Sequence, residues 1–277
     1  MKLKLNNTTL NVKDNVIFLT FPIFEKYNFV QHAFSTKIGG VSKNEFKSMN
    51  FRLFGNEDKE NIFENYRRLF YAIGINSCDS IALSSQKHGN LVKIVTEKKS
   101  IKENYEELEK QEFDGLITNV KNISLVTHHA DCTPIFFLDP EKKVVAVAHS
   151  GWKGTAKEIS KKIVEKMSLE FSCNPKQIIC AIGPTIAQNC YEVSADVYEA
   201  FKSKSFILHS SFKKSKNPDK YMFSLRTANK EILKKSGILE KNIFISNVCT
   251  HCLNKIFFSH RVSGNKRGTM VAVISLL

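Results

Sequence analysis

Between Thr127 and Gly154 the chain reads THHADCTPIFFLDPEKKVVAVAHSGWKG, and no other stretch restricts the fold as much. Its apolar runs 134–138 and 144–148 flank an Asp139-Pro140 turn signal, so they are expected to be neighbouring strands that return on each other. Asp131 and Cys132 stand just before the first run and His149 just after the second. A hairpin-like return therefore brings a thiol and an imidazole to the same rim. After His149 come Ser-Gly-Trp-Lys-Gly and then Thr155 to Glu158, with the spacing of a capping box that opens a helix. Ala156, Ile159, Ile163 and Met167 follow at helical spacing and give that helix one apolar face. Strand, glycine-containing turn and helix start offer a seat for an anion beside a candidate metal site; the plainer reading is a tight turn.

Around this centre, residues 16–21 read as a strand stopped by Pro22, and residues 32–42 as an extended segment running into Gly39-Gly40 with Lys37 beside the turn. Ile62, Tyr66, Leu69 and Phe70 predict a helix over 57–73 that ends near Gly74. A strand begins at 81–84, is interrupted by Gln86-Lys-His88-Gly89 and resumes at 91–95. Residues 98–112 are strongly charged and suit a surface loop or loose helix. Further strands are expected at 124–127, 177–182, 242–248 and 269–276, and helices at 192–203 and 221–236. No fixed-period repeat and no low-complexity linker divides the chain, so one domain over 1–277 is expected.

The chain has 277 residues, 42% of them hydrophobic, enough for a well-buried α/β core. No run of eighteen apolar residues occurs, and Met1-Lys-Leu-Lys-Leu-Asn is too polar for a leader, so a cytoplasmic protein without a membrane partner is expected. Seven cysteines, an odd number, argue for reduced thiols rather than a disulfide framework. The net charge of +14 is compatible with anionic substrates. Its lysines are scattered without an aromatic platform, which suits a solvated surface and not a nucleic-acid interface.

Cysteine thiolate and imidazole are preferred zinc ligands, and three of them with an open fourth position make a catalytic site. Cys132 and His149 are joined by the hairpin; the third ligand stays open among His88, His128, His129, His251 and His260. Cys249-Thr-His-Cys252 resembles half of a zinc site, yet no second such pair exists in the chain. Cys132 with His149 also fits a nucleophile–base pair oriented by Asp131, which is a hydrolase reading.

Several segments in a fixed order resemble the YfiH-type laccase-domain family: His32-Ala-Phe-Ser-Thr-Lys-Ile-Gly-Gly-Val-Ser, Ser48-Met-Asn50, Ala130-Asp-Cys-Thr-Pro, Ala148-His-Ser-Gly-Trp-Lys-Gly, Ala181-Ile-Gly-Pro, Cys190-Tyr-Glu-Val, Cys249-Thr-His-Cys and Phe258-Ser-His-Arg261. The resemblance runs from about His32 to Leu277. It implies an α/β sandwich with a mixed β-sheet core and flanking helices. It also implies a metal-dependent purine nucleoside enzyme that carries out phosphorolysis of adenosine, inosine and methylthioadenosine, and deamination of adenosine. By motif match the zinc ligands fall on His88, Cys132 and His149. For such a reaction Lys37, Lys153 and Arg261 are the expected cations for phosphate and Asn50 the expected partner for the sugar. Copper-dependent oxidation of polyphenols is the other activity attached to the family, although the chain has eight histidines and no His-x-His pair. A metal-binding module without turnover is the third reading. The chain departs from the family pattern at Lys37, His129, Ser150, Lys153 and His260, where lysine for arginine keeps the charge but loses the bidentate fork. The implied partners are a nucleoside and phosphate, and the implied state is a monomer or homodimer.

Overall fold

The expected return is present: Thr133–Asp139 and Val144–Ser150 pair antiparallel, with His149 opposite Pro134. Asp139 Oδ1 accepts the N–H groups of Glu141 and Lys142 and closes the turn. All residues of both strands are buried, as continuous apolar runs in central strands require. This computed structural model describes residues 1–52, 55–75, 78–108 and 112–277.

The hairpin occupies the middle of a six-stranded sheet ordered Ile243–Ile245, Ile179–Ile182, Thr133–Asp139, Val144–Ser150, Gly115–Thr118 and Val92–Ile94. A seven-stranded sheet faces it, ordered Lys2–Leu5, Thr8–Lys13, Val16–Thr20, Val30–Ser35, Met270–Leu276, Ser124–His129 and Ile81–Leu83. Leu19, Phe34, Leu125 and Ala272 of this sheet meet Phe136, Leu138, Val145 and Val147 of the other in one apolar cluster, which is the sandwich core. Outside the seven-stranded sheet lies the helix Lys59–Ile73, whose Tyr66, Leu69 and Phe70 pack on Val126, Val271 and Val273. Outside the six-stranded sheet the helix Ile159–Phe171 buries Ile163 and Met167 on Ile117 and Ala146, and Leu225–Lys235 adds Leu233. The result is the mixed α/β sandwich with flanking helices expected from the resemblance. Among the described residues no helix is long and apolar enough to cross a membrane.

Local departures from the sequence reading have physical reasons. Thr155 does not cap a helix; it lies within the short helix Trp152–Ala156, and its hydroxyl bonds to the Gly151 carbonyl. Glu158 takes a left-handed conformation, which breaks the chain before Ile159–Phe171. A helix of one turn leaves no built anion seat after Gly151. The interrupted strand at 81–95 is two strands in different sheets, so the Gln86–Gly89 segment is a crossover between layers. The helix expected at 221–236 begins only at Leu225, capped by Ser224 Oγ accepting from Thr227 N, because Lys220–Phe223 is the middle strand of a small third sheet. The helix expected at 192–203 likewise starts as the strand Glu192–Ser194 of that sheet and continues as Ala195–Glu199. The strand expected at 242–248 is confined to Ile243–Ile245. Ile101–Glu107 forms a helix with a Ser100–Glu103 capping box, and residues 109–111 of that charged stretch lie outside the described residues.

His32 reports on the sandwich core. Burial holds its imidazole down at about 3, and Nε2 accepts the Phe21 N–H at 2.8 Å. The unfolded chain binds a proton there below a pKa of about 6.5, whereas the folded chain does not until far lower pH. This residue's contribution is therefore complete above about pH 6.5 and falls by about 1.4 kcal/mol for each pH unit below it. Urea unfolding at about pH 7 and about pH 5 should show a drop that is about 2 kcal/mol smaller in His32→Gln. An equal drop in both proteins would contradict a neutral buried imidazole.

Candidate metal centre

His149 is the penultimate residue of one strand of the central hairpin, Cys132 immediately precedes the other, and His88 arrives on the crossover between sheets. Their ligand atoms all lie within 4.8 Å of one another. The His88 and His149 rings meet edge to face with centroids 4.9 Å apart. The crossover is held open in an unusual shape: Gln86 and His88 both have positive φ. Asp114 supports it by accepting the N–H groups of Lys87, His88 and Gly89 at 3.1, 3.1 and 2.7 Å. The same carboxylate receives His149 Nδ1 at 2.8 Å, so one fully buried aspartate orients both histidines. Sheet register places it there, because Gly115 pairs with Ala148 one residue away.

Electrostatics favour a thiolate. Burial opposes ionisation of Cys132, but His149 and His88 outweigh it and bring the thiol down to about 6. Burial likewise disfavours an imidazolium at His149, yet Cys132 and Asp114 raise it to about 9. Desolvation works against the Asp114 charge as well, and the hydrogen bond and charge of His149 still hold it below the usual carboxylate range. A sulfur and two imidazoles facing an open cavity are the donor set of a metal site with a vacant position, and they fit zinc. Gly151 leaves the room: a Cβ there would stand 3.0 Å from Cys132 Sγ and 3.1 Å from His88 Cδ2.

The trio opens into a cavity of about 300 Å³ also lined by Arg52, Gln86, His128, Arg267 and Thr269. Arg52 Nη1 donates to the carbonyls of Asn265 and Arg267, at 2.6 and 3.2 Å. Arg267 Nε and Thr269 Oγ1 are buried without a partner, so both keep hydrogen-bonding capacity at the cavity wall. His128 bonds through Nε2 to Tyr66 Oη at 2.7 Å, and desolvation holds it down at about 3.

The other predicted site residues lie elsewhere. Asp131 does not orient His149. Its Oδ1 accepts Thr250 Oγ1 at 2.6 Å, and its Oδ2 accepts Ser259 Oγ and Arg261 N, each at 2.8 Å. Lys37 donates to the Asn254 carbonyl at 2.6 Å and lines a neighbouring cavity of about 480 Å³ that shares Arg267 with the metal cavity. Asn50 is fully buried and closes a turn, its Oδ1 accepting Arg52 N and Thr269 N. Lys153 is exposed over the Trp152 ring. Arg261 stacks on Tyr191 and donates to the Glu192 carbonyl, in a separate cavity. His129 is no rival ligand here, since Nε2 meets Thr127 Oγ1 and Nδ1 meets the Cys132 carbonyl. His260 is exposed beside Arg267. Sequence reasoning missed Asp114, Arg52 and Arg267; the Phe113-Asp-Gly run before a strand was a local sign of the first, and nothing local marked the arginines.

Removing the Asp131 carboxylate strands two hydroxyls and one N–H in a buried place. Asp131→Ala is expected to cost about 2–4 kcal/mol in urea unfolding. An unchanged midpoint would mean that the carboxylate is not a structural hub.

Fold and site together define an α/β sandwich that presents one thiol and two imidazoles, backed by a buried carboxylate, to an open cavity. The family described as multi-copper polyphenol oxidoreductase laccase matches residues 31–277, and the chain belongs to it. It is 34% identical over 248 residues to purine nucleoside phosphorylase YlmD of Bacillus subtilis strain 168, covering 88% of this chain and 87% of that protein. Adenosine deaminase RL5 of an unknown prokaryotic organism is 31% identical over 238 residues, covering 85% of this chain and 90% of that protein. The crystal structure of Bacillus licheniformis hypothetical protein YfiH superposes with a TM-score of 0.89 at 28% identity, covering 99% of this chain and all of that one. Relatives in this family are thus named as nucleoside-processing enzymes.

Proposed function

We propose that the chain is a metal-dependent purine nucleoside enzyme: it cleaves adenosine, inosine and S-methyl-5'-thioadenosine with phosphate to free base and the (methylthio)ribose 1-phosphate, and it deaminates adenosine. The observation that carries this reading is the convergence of His88, Cys132 and His149 on a cavity flanked by Arg52 and Arg267. Zinc is the proposed metal, held by those three residues, and when bound it supplies a Lewis acid that lowers the pKa of a coordinated water towards neutrality.

The chain's own groups do the rest. Asp114 accepts a hydrogen bond from the Nδ1–H of His149, so that Nε2 would be the nitrogen free to hold the metal. Arg52 and Arg267 give the cavity positive charge for phosphate, and the unpartnered Arg267 Nε and Thr269 Oγ1 are donors for a bound oxyanion or sugar hydroxyl. Lys37 stands behind Arg267 as a more distant cation. Asn50 acts through position, fixing Arg52 and Thr269 at the cavity by their N–H groups. The partners in this reading are a small-molecule nucleoside and phosphate, acted on in the cytoplasm by a monomer or homodimer.

Chromatography of adenosine incubated with the protein tests the reading. Adenine should appear only with phosphate present, and inosine with or without it. If neither forms, the proposal fails. A copper oxidase is the second reading, favoured by the same mixed donor set, since copper stands above zinc in affinity for nitrogen and sulfur ligands. Oxygen uptake with a polyphenol by zinc-loaded protein freed of copper would support oxidation as a native activity; its absence would assign any oxidase signal to metal exchange.

A further inference from the structure

A second group of ligands lies outside the cavity. Cys190, His251 and Cys252 also bring their ligand atoms within 4.8 Å of one another, and the Cys190 and Cys252 sulfurs are 3.4 Å apart. Cys249 lies beside them without completing that group: its sulfur accepts the N–H groups of Ala187 at 3.2 Å and Cys252 at 3.5 Å. Backbone N–H groups aimed at the first sulfur of a Cys-x-x-Cys turn stabilise it as a thiolate. Independently, His251 Nδ1 is buried and has no hydrogen-bond partner. A buried ring nitrogen without a partner is costly unless something binds it. The cluster borders solvent through the exposed Cys252, so an ion can enter.

We propose that Cys190, Cys249, His251 and Cys252 bind a second, structural metal ion of zinc-like softness. With Cys249 drawn in as the fourth ligand, three thiolates and one imidazole would make a closed tetrahedral set, with no position left for a substrate. Cys190 supplies what the lone Cys249-Thr-His-Cys252 turn lacks, reaching it from the far end of the loop after Ile179–Ile182. A Cys190–Cys252 disulfide would use only two of the four groups and would leave the orphaned nitrogen of His251 unexplained. The ion would pin the turn that carries Thr250, whose hydroxyl holds Asp131, the residue before Cys132. The second site thus braces the strand start on which the first depends.

The test uses full-length protein purified under reducing conditions and loaded with zinc or cobalt(II). A His88→Ala/Cys132→Ala variant removes the first centre, so the outcome does not depend on the proposed activity. That variant should retain one equivalent of zinc, and with cobalt(II) it should keep most of the thiolate-to-cobalt charge-transfer absorption, because three of the four ligand thiols remain. Cys190→Ser/Cys252→Ser should lose most of that band, and His251→Gln, a milder change, should release the ion to a chelator about 10–100 times more readily. A first-centre variant that holds no zinc and develops no cobalt band overturns the proposal. So does a mass two hydrogens short with Cys190 linked to Cys252.

Discussion

Replacing Cys132 with alanine should empty the His88/Cys132/His149 centre and lower nucleoside turnover by about three orders of magnitude while the sandwich stays folded. Charge stabilisation by a catalytic metal amounts to several kcal/mol. At about 1.4 kcal/mol per tenfold in rate, a loss of about 4 kcal/mol gives that factor. The thiol sits at the end of a strand and faces a cavity, so its loss leaves the core contacts of Phe136 and Leu138 intact. Near-ultraviolet circular dichroism should therefore match the unaltered protein. A Cys/His hydrolase would also lose activity on this substitution, but it would be indifferent to chelation. Turnover that survives exhaustive chelation yet vanishes in Cys132→Ala would favour a cysteine nucleophile and contradict the metal reading.

The second large effect is expected at Asp114, which no part of the sequence reading named. Asp114→Asn keeps the shape but replaces one acceptor oxygen with an NH₂ group. Asp114 Oδ1 serves His149 Nδ1 and the His88 N–H, while Oδ2 serves the Lys87 and Gly89 N–H groups. Whichever way the amide turns, it sets a donor against donors, and the crossover that carries His88 loses support. Groups that orient metal-binding histidines typically change affinity by about 10–100-fold, and this one orients two. Competition with a chromophoric chelator should show a loss at the upper end of that range, with lower turnover at limiting metal. Unchanged affinity would mean that His88 and His149 are held by other contacts.

What could be read from the sequence follows how local each contact is. The central hairpin was legible because two apolar runs and an Asp-Pro turn determine it within a few residues, and with it the meeting of Cys132 and His149. His88 was one of five candidates and was singled out only through resemblance to a family, since its crossover links two sheets and no spacing rule spans that distance. Asp114 was hidden for the same reason: it meets His149 through the pairing of Gly115–Thr118 with a strand almost thirty residues later in the chain. The cations of the cavity wall were not legible because charge was visible and direction was not. Lys153 stands between Trp152 and Gly154 in the motif, but the short helix Trp152–Ala156 turns it to solvent, whereas Arg52 and Arg267 are set in the wall by carbonyls and by Asn50. Asp131 looked like an orienting acid by its position next to Cys132. Its positive φ instead directs the carboxylate towards Thr250, Ser259 and Arg261.

Zinc K-edge X-ray absorption on the Cys190→Ser/Cys252→Ser protein examines the first centre without interference from the second group of thiols. The account predicts one sulfur at about 2.3 Å and two imidazole nitrogens at about 2.0 Å, with a remaining light scatterer that exchanges for added ligand. Absence of the sulfur, or a shell filled entirely by protein ligands, would contradict it.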